Sequence, residues 1–161
     1  MSRTESTVGL ISDTHGLLRP EAIAALTGVD YIVHAGDIGD ERILERLSMI
    51  APVTAVRGNN DRSAWASRIP ETQVLQVGTA MIYVIHDVDA LDVDPAASGF
   101  HAVIAGHSHR PSIGSREGVL FINPGSAGPR RFKLPVSLGW LTVSGTSIKP
   151  RLIELTVGSN A

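Results

Sequence analysis

The stretch Val8-Gly9-Leu10-Ile11-Ser12-Asp13-Thr14-His15-Gly16 joins a short apolar run to two polar side chains that can bind metal. The apolar run over residues 8–11 predicts a buried strand. Asp13 and His15 follow two residues apart, so in an extended chain their side chains point to the same face. A carboxylate and an imidazole placed in this way could reach a single ion.

The chain that follows alternates between predicted helices and strands. Pro20, at the favoured first helical position, begins a helix that extends to about residue 26. Asp40 is a good N-cap for a second helix, which Pro52 ends. Apolar runs at residues 31–33 and 53–56 predict the second and third strands. This strand-helix alternation indicates a right-handed parallel core.

The second half of the chain has a different pattern. Residues 72–77 and 79–85 flank a Gly78-Thr79 turn and predict an antiparallel hairpin. A brief helix is expected in the acidic stretch around Asp92 and Pro95. Further strands are predicted over residues 102–105, 112–115, 119–123, 138–143 and 147–155. One parallel sheet cannot hold so many strands in a chain of this length. We therefore predict an α/β (α+β) fold, namely a two-sheet β-sandwich flanked by helices. We expect it to form a single domain over residues 1–161.

Potential metal ligands follow five of the apolar runs. They are Asp13, His15, Asp37, Asn59, His86, His107 and His109. Because parallel sheets bind ligands outside the carboxyl ends of their strands, we expect these side chains to converge. Seven ligands are too many for one ion and suit two ions that share a bridging carboxylate. Asp37 is the natural bridge, and the carbonyl oxygen of Asn59 would bind without adding charge.

Charge counting indicates the class of substrate. The two aspartates contribute −2 against +4 from two divalent ions, which leaves a positive site in a chain of net charge −2. Such a site favours an anionic substrate, and phosphate esters are the leading candidates. Two ions roughly 3.5–4 Å apart can activate a bridging hydroxide and hold the phosphoryl oxygens during in-line displacement. We therefore predict a small phosphate-ester substrate.

Composition excludes several other classes of protein. The chain has no cysteine, so disulfides, thiolate zinc sites and cysteine nucleophiles are excluded. A net charge of −2 gives no general affinity for nucleic acid or acidic membranes. The polar N-terminus lacks the apolar core of a signal peptide, and no apolar run is long enough to span a membrane. We expect a cytoplasmic enzyme without membrane contact.

Each short motif, taken alone, also has a structural interpretation. A single Asp-x-His or Gly-Asn-Asn-Asp is more often a turn, and only the joint occurrence of all five clusters favours metal binding. Two histidines are left out of the site, because His34 is expected to be a supporting or packing residue and His101 to be exposed. We expect the acidic loop with Asp87, Asp89, Asp92 and Asp94 to be solvated, since it lacks the glycine and glutamate of an EF-hand.

These motifs resemble the calcineurin-like metallophosphoesterase superfamily, and in particular its small YfcE-like phosphodiesterases. The matching segments are Asp13-x-His15, Gly36-Asp37, Gly58-Asn59-Asn60-Asp61, His86, Gly106-His107-Ser108-His109, Asn123-Pro124-Gly125-Ser126 and Pro129-Arg130. The resemblance implies that Asp13, His15 and His109 hold one ion. It implies that Asn59, His86 and His107 hold the second, with Asp37 as the bridge. It also implies a two-sheet sandwich, in agreement with the strand count.

Two positions depart from the family pattern. Asn60 replaces a histidine that acts as general acid or substrate clamp in larger relatives. The amide of Asn60 can hydrogen-bond a phosphoryl oxygen but cannot give up a proton, so esters with good leaving groups are favoured. Asp87 stands where the family often has glycine, so the loop at the second ion is expected to differ in shape from that of the family. Asp37, Asn59 and Asn60 are thus the candidate catalytic residues.

The sequence leaves alternatives open. A phosphodiesterase is the leading interpretation, a phosphomonoesterase is weakened by Asn60, and a non-catalytic protein-binding scaffold is known on this fold from a eukaryotic retromer subunit. Four histidines with oxygen donors and no thiolate favour two divalent transition-metal ions, manganese first, with zinc, iron or nickel as alternatives. The resemblance and the apolar C-terminal strands also suggest a homodimer.

Overall fold

The computed structural model describes residues 5–157 and contains ten strands. In chain order they are β1 (Ser6–Ile11), β2 (Tyr31–His34), β3 (Val53–Ala55), β4 (Thr72–Val77), β5 (Ala80–Ile85), β6 (Ala102–Ile104), β7 (Ser112–Arg116), β8 (Val119–Asn123), β9 (Ser137–Ser144) and β10 (Ser147–Glu154). The α-helices are α1 (Pro20–Leu26) and α2 (Glu41–Ser48), and short 3-10 helices lie at Ala64–Arg68 and Val88–Ala90. Every predicted strand is present, and no strand end shifts by more than two residues.

The strands form two mixed sheets of five strands each. The first has the order β10-β9-β1-β2-β3, and the second has the order β4-β5-β6-β8-β7. In the first sheet β1, β2 and β3 run parallel, with Val8 opposite Tyr31 and Ile32 opposite Val53. In the second sheet β4 and β5 form the predicted antiparallel hairpin, and β5, β6 and β8 run parallel. The prediction of a two-sheet sandwich is confirmed.

The main core lies between the two sheets. Val8 and Leu10 of β1 and Ile82 of β5 are fully buried there, together with Ile104 of β6. Each such side chain contributes about 1.5–3 kcal/mol of burial free energy. Because alternate residues of a strand face opposite sides, Ile11 lies on the other face of the first sheet.

Both α-helices cover that other face of the first sheet. The side chain of Asp40 accepts a hydrogen bond of 3.0 Å from the backbone N–H of Arg42, as expected for an N-cap. Leu26 of α1 and Leu47 of α2 are fully buried in the cluster that also contains Ile11. The helices therefore fix the loops that follow β1 and β2.

The outer face of the second sheet is covered by the acidic loop instead of an α-helix. Tyr83 and Val103 are buried there against Leu91 and Phe100. The brief helix predicted around Asp92 and Pro95 lies earlier, at Val88–Ala90, because the Asp87 carboxylate accepts the N–H of Asp89 and caps it. Asp89, Asp92 and Asp94 are exposed, as predicted for a solvated loop.

Apolar side chains of the last two strands are covered within the chain. Leu138, Leu141 and Val143 of β9 are buried, and Leu152 and Ile153 of β10 pack against the two larger clusters. The motive for a homodimer from these strands is therefore weaker than the sequence suggests, and the homodimer stays a prediction, testable by light scattering. No helix in residues 5–157 is long and apolar enough to cross a membrane.

The topology brings strand ends from both sheets to one edge of the sandwich. The loops after β1, β2 and β3 carry Asp13, Asp37 and Asn59. The residues after β5 and β6 include His86 and His107. Because β1 to β3 are mutually parallel and β5 is parallel to β6, each sheet presents its carboxyl ends together.

Candidate metal centre

Two groups of potential ligands lie at this edge. Asp13, His15 and His109 each offer one atom within 4.8 Å of the others. The Nε2 atoms of His15 and His109 are 3.4 Å apart, and Asp13 Oδ1 lies 3.4 Å from His109 Nε2 and 3.8 Å from His15 Nε2. This first group contains the three residues expected to share one ion.

The second group consists of Asp37, His86 and His107, again with one atom each within 4.8 Å. His86 Nε2 is 3.3 Å from Asp37 Oδ2 and 3.3 Å from His107 Nδ1. Asp37 Oδ2 also lies 3.7 Å from His15 Nε2 of the first group. One carboxylate oxygen therefore faces both groups, which is the arrangement that a bridging ligand requires.

The backbone at these residues has an unusual conformation. The described chain has seven non-glycine residues with positive φ, and five of them belong to the two groups: Asp13, His15, Asp37, His107 and His109. This left-handed region is uncommon for side chains other than glycine, and such residues concentrate at functional sites. The surrounding loops thus hold the candidate ligands in conformations that an isolated chain would avoid.

Close backbone contacts explain two of the glycines. A Cβ at Gly58 would collide with the backbone N and Oδ1 of Asp37, and a Cβ at Gly106 would collide with Ser12 Oγ and Asp13 Oδ2. Only glycine allows the loops after β3 and β6 to approach the aspartates this closely. The glycines next to Asn59 and His107 therefore determine where those ligands lie.

Hydrogen bonds around the site orient the donor atoms inward. His86 Nδ1 donates to the carbonyl oxygen of Ala35 at 2.7 Å, which leaves the Nε2 lone pair facing Asp37. Ser12 Oγ, at 2.6 Å, and the His107 backbone N–H, at 3.1 Å, both donate to Asp13 Oδ2. Asp13 Oδ1 remains a buried oxygen with no hydrogen-bond partner in the described chain.

This donor set fits divalent ions. A buried, unpartnered carboxylate oxygen beside two converging imidazole nitrogens is costly unless a cation lies among them. Carboxylate and imidazole are common ligands of transition metals, and the described residues offer both to each group. The two groups can therefore each hold an ion.

The electrostatics keep both aspartates ionised. Burial opposes ionisation of Asp37, but the adjacent His86 ring and the hydrogen bond from the Asn60 backbone N–H outweigh it and lower its pKa. The pKa of Asp13 is also lowered, because the nearby His109 ring and the Ser12 hydroxyl outweigh the effect of burial. Burial alone would lower the pKa of His86, yet its contacts with Asp37 and Ala35 raise it. Both carboxylates are thus available as anionic ligands at neutral pH.

The two asparagines after β3 take different positions. Asn60 donates its backbone N–H to Asp37 Oδ1 at 2.9 Å and its side-chain Nδ2–H to Asp37 Oδ2 at 3.1 Å. Asn59 is exposed and lines a cavity of about 360 Å³ together with His86 and His107. Asn60 is therefore tied to the central carboxylate, while Asn59 faces open space next to the second group.

Asp87 does not distort the loop after β5. Its backbone is extended, with φ −115° and ψ 113°, a conformation that any residue adopts. Its Oδ2 lies 3.8 Å from His107 Nε2, and the side chain lines the same cavity. The departure from glycine at this position thus changes the wall of the cavity and leaves the backbone unstrained.

Asp61 connects two of the loops, a role that the sequence alone did not indicate. Its carboxylate accepts backbone N–H groups of Ile38, Gly39 and Gly58 at 2.9–3.0 Å. Asp61 is 6% exposed, and these bonds join the loop that carries Asp37 to the loop that carries Asn59. The one hint of this role in the sequence was that Asp61 is a carboxylate two residues after the predicted ligand Asn59.

His34 has the supporting role predicted for it. It is fully buried, accepts the N–H of Gly36 at Nδ1 over 3.1 Å, and so donates from Nε2 to Thr14 Oγ1 over 2.9 Å. Thr14 Oγ1 in turn donates to the carbonyl oxygen of Ile38 at 2.8 Å. Desolvation by burial lowers the pKa of His34 to about 4, so the ring is neutral.

The expectation for His101 was wrong. His101 is half-buried, and its Nδ1 accepts the backbone N–H of Met81 at 2.9 Å. This bond extends the pairing at the start of β5, so the residue is structural. Its position before a strand gave no sign of this, because the partner is twenty residues away in sequence.

Comparison with known proteins identifies the family. Residues 7–146 match the calcineurin-like phosphoesterase superfamily domain. The chain belongs to this superfamily. Over 159 residues it is 32% identical to a probable metallophosphoesterase of Methanothermobacter thermautotrophicus, with 91% of each chain covered.

Solved structures share the metallophosphoesterase fold. The vacuolar protein sorting 29 structure from Cryptosporidium parvum superposes with a TM-score of 0.81 at 21% identity and covers 96% of this chain and 93% of its own. A structure described as a novel archaeal phosphodiesterase gives a TM-score of 0.75 at 21% identity, with 91% and 99% covered. At this identity the two matches establish the fold alone. This chain is therefore a member of the metallophosphoesterase superfamily, and it carries two groups of residues that can bind metal.

Proposed function

We propose that this member of the superfamily is a metal-dependent phosphodiesterase with a two-ion centre. The observation that carries the proposal is Asp37 Oδ2, which lies 3.7 Å from His15 Nε2 and 3.3 Å from His86 Nε2. A single oxygen that lies between two imidazole groups suits a pair of ions. Among the described hydrogen bonds, this oxygen accepts only the one from the Asn60 side-chain amide. The unpartnered Asp13 Oδ1 supports the same interpretation.

The proposed ligands follow from the two groups. Asp13, His15 and His109 would hold the first ion, His86, His107 and Asn59 the second, and Asp37 both. When bound, such ions supply a water-derived nucleophile and positive charge for the phosphoryl oxygens. The chain itself supplies the inward orientation of the donors, through the Ala35–His86 and Ser12–Asp13 hydrogen bonds.

Asn60 would position substrate without donating a proton to the leaving group. Its amide is oriented by Asp37 at 3.1 Å, and an amide has no proton to release at neutral pH. An alcohol with a low pKa leaves without protonation, so this site favours esters of acidic alcohols. This feature supports diesters of good leaving groups over simple alkyl monoesters.

The cavity beside the second group supports a diester over a monoester. It has a volume of about 360 Å³ and is lined by Asn59, His86 and His107. Arg57, Thr72 and Asp92 also line it. A monoester would leave this space empty, whereas a diester places its second ester arm next to the reacting phosphorus.

We propose manganese as the working metal. Four imidazoles would make the site too rich in nitrogen for calcium or magnesium, and the absence of thiolate removes the ligand that most favours zinc in structural sites. Zinc, iron or nickel would still fit the same donors. To rank the four metals, metal-free protein can be reconstituted with each ion and its rate of ester hydrolysis measured.

The test combines metal analysis with a substrate screen. Protein purified without chelator should carry close to two ions per chain and should hydrolyse bis(p-nitrophenyl) phosphate faster than p-nitrophenyl phosphate. Chelation should abolish both the metal and the activity. Stoichiometric metal without hydrolysis of any ester would favour the protein-binding scaffold, and faster monoester hydrolysis would favour a phosphomonoesterase.

A further inference from the structure

Arg19 is an unusual cation near the metal centre. The residue is 6% exposed, and its guanidinium donates from Nε and Nη2 to the carbonyl oxygen of Gly128 at 3.2 and 3.0 Å. Within residues 5–157 no carboxylate lies within ion-pair distance of it. Buried arginines are normally paired with an anion, because an unpaired buried charge is costly. An external anion would satisfy this requirement.

Gly128 connects Arg19 to the loop that carries the proposed ligands of the first ion. A Cβ on Gly128 would collide with the carbonyl oxygens of Asp13 and Thr14, so the two backbones are in contact. Ala127 N–H donates to the carbonyl oxygen of Ser12 at 3.0 Å, and Ser126 Oγ donates to that of Asp13 at 3.0 Å. The segment that Arg19 contacts is therefore fixed to the loop that carries the first ligands.

An exposed basic loop extends from this fixed segment. Residues 129–133 are all exposed and read Pro-Arg-Arg-Phe-Lys, so they hold three of the fourteen lysines and arginines of the chain. The backbone of Arg131, three residues after Gly128, lies within about 11 Å of it. Arg19 contacts Gly128, so four cations are attached to this segment in a chain whose net charge is −2.

Phe132 adds an aromatic surface to the same loop. It is 90% exposed and has a left-handed backbone with φ 53°. An exposed phenylalanine between Arg131 and Lys133 matches the combination of aromatic and basic side chains that binds nucleotide chains by stacking and charge. This feature favours a nucleotide over an inorganic polyphosphate.

We propose that Arg19, Arg130 and Arg131 form a second anion subsite, which binds a phosphate group other than the one that is hydrolysed, with Phe132 against a nucleobase. The substrate class is then a nucleotide diester with at least one additional phosphate. This inference rests on the proposed phosphodiesterase function. Binding at the subsite does not take part in the chemistry, so its loss should raise KM more than it lowers kcat.

The experiment compares two substrates that differ by one phosphate. Both are p-nitrophenyl esters of thymidine 5′-phosphate, and one carries an additional 3′-phosphate, so the leaving group is identical. Wild type should show a kcat/KM at least about tenfold higher for the 3′-phosphorylated substrate, as expected for a charge-assisted hydrogen bond. This preference should shrink as salt is raised, because the loop cations are exposed.

Three variants locate the effect. Arg131→Gln and Arg19→Gln should each move the ratio of the two kcat/KM values towards one. Arg46→Gln is the matched control, since Arg46 on α2 is also an exposed arginine, and it should keep the full ratio. Arg131→Gln lies on an exposed loop, so it tests the subsite even if Arg19→Gln does not fold.

The outcomes separate this proposal from the proposed function. A wild-type ratio near one, or an unchanged ratio in both Arg19→Gln and Arg131→Gln, would overturn the subsite while leaving the phosphodiesterase intact. If wild type hydrolyses neither ester, the proposed function fails, and calorimetry then decides the subsite. Thymidine 3′,5′-bisphosphate should bind at least about tenfold more tightly than thymidine 5′-monophosphate, and equal affinities would overturn it.

Discussion

At the scale of single residues, Asp37 has the most consequential position. Its Oδ2 faces His15 and His86, and both of its oxygens accept hydrogen bonds from Asn60. A variant of Asp37 should therefore disturb both ions, whereas a variant of His15 or His86 should disturb one. The site is asymmetric in this respect, and the asymmetry can be measured.

We expect Asp37→Asn to lower turnover by more than about 100-fold, beyond the 10–100-fold typical of residues that only support a ligand. Metal content should fall towards zero, while His15→Ala and His86→Ala should each retain about one ion. Elemental analysis and rate measurement on the three variants provide the comparison. Asp94→Asn, an exposed aspartate away from the site, is the control. Full activity in Asp37→Asn would rule out its bridging role.

Asn60 should make hydrolysis sensitive to the leaving group. Because its amide cannot protonate a departing alcohol, the rate of wild type should fall steeply as the leaving-group pKa rises across a series of aryl diesters. Asn60→His should flatten this dependence and accelerate the poorest leaving groups, by about 10²–10⁴-fold at most. Asn60→Ala controls for loss of the bond to Asp37. A flat dependence in wild type would contradict this account.

At the scale of secondary-structure elements, His34 at the end of β2 links two loops through a buried, neutral ring. Its pKa is about 4 in the folded chain because burial penalises the charged form, against 6.5 in its ordinary state. Between these values the unfolded chain binds a proton that the folded chain does not. The contribution of His34 to the free energy of unfolding is therefore present above pH 6.5 and is lost as pH falls towards 4.

The loss between pH 6.5 and pH 4.5 should be about 2 kcal/mol for metal-free protein. Urea unfolding at pH 6.5 and pH 4.5 measures it, and His34→Gln should show a much smaller difference because its side chain does not titrate. The raised pKa of His86 acts in the opposite direction, since its contribution is lost as pH rises through a value above 6.5, outside this window. Equal pH dependence in wild type and His34→Gln would refute the assignment.

The contact between the loops after β2 and β3 gives a second prediction at this scale. In Gly58→Ala the added methyl group would collide with Asp37, so the loop must shift. We expect a loss of about 1–3 kcal/mol in stability and a clear fall in metal content. Gly114→Ala in β7, where a Cβ would meet open space, is the control. Unchanged metal binding in Gly58→Ala would show that Asp37 tolerates displacement.

At the scale of the whole molecule, the metal centre joins the two sheets. Asp13 and Asp37 follow strands of the first sheet, whereas His86 and His109 follow strands of the second. Bound ions would act as cross-links between the layers and should stabilise the folded chain. At metal concentrations about 100-fold above Kd, each of the two ions contributes about 2.7 kcal/mol.

The two ions together should therefore raise the Tm of a chain of this size by about 10–20 °C. Thermal unfolding with and without added manganese measures it, and Asp37→Asn should lose most of the shift. A metal-induced Tm shift in Asp37→Asn equal to that of wild type would place the stabilising ions elsewhere on the molecule.

The sequence by itself determined the strands, the two α-helices and the identity of the candidate ligands. Hydrophobic periodicity and the preferences of Pro20 and Asp40 for helix starts are local effects. The bounds of α1 and the N-cap of α2 could therefore be predicted from neighbouring residues alone. The candidate ligands could be named because each polar cluster directly follows a strand, and the topology carries such positions to one edge.

Only the tertiary structure decided which residues support the site. Asp61 accepts N–H groups from residues over twenty positions away, His101 caps a distant strand, and Arg19 contacts Gly128, 109 positions along the chain. The left-handed backbone of Asp13, Asp37 and the site histidines likewise depends on packing between loops. These features arise from contacts between segments remote in sequence, and no local pattern of residues encodes which segments will meet.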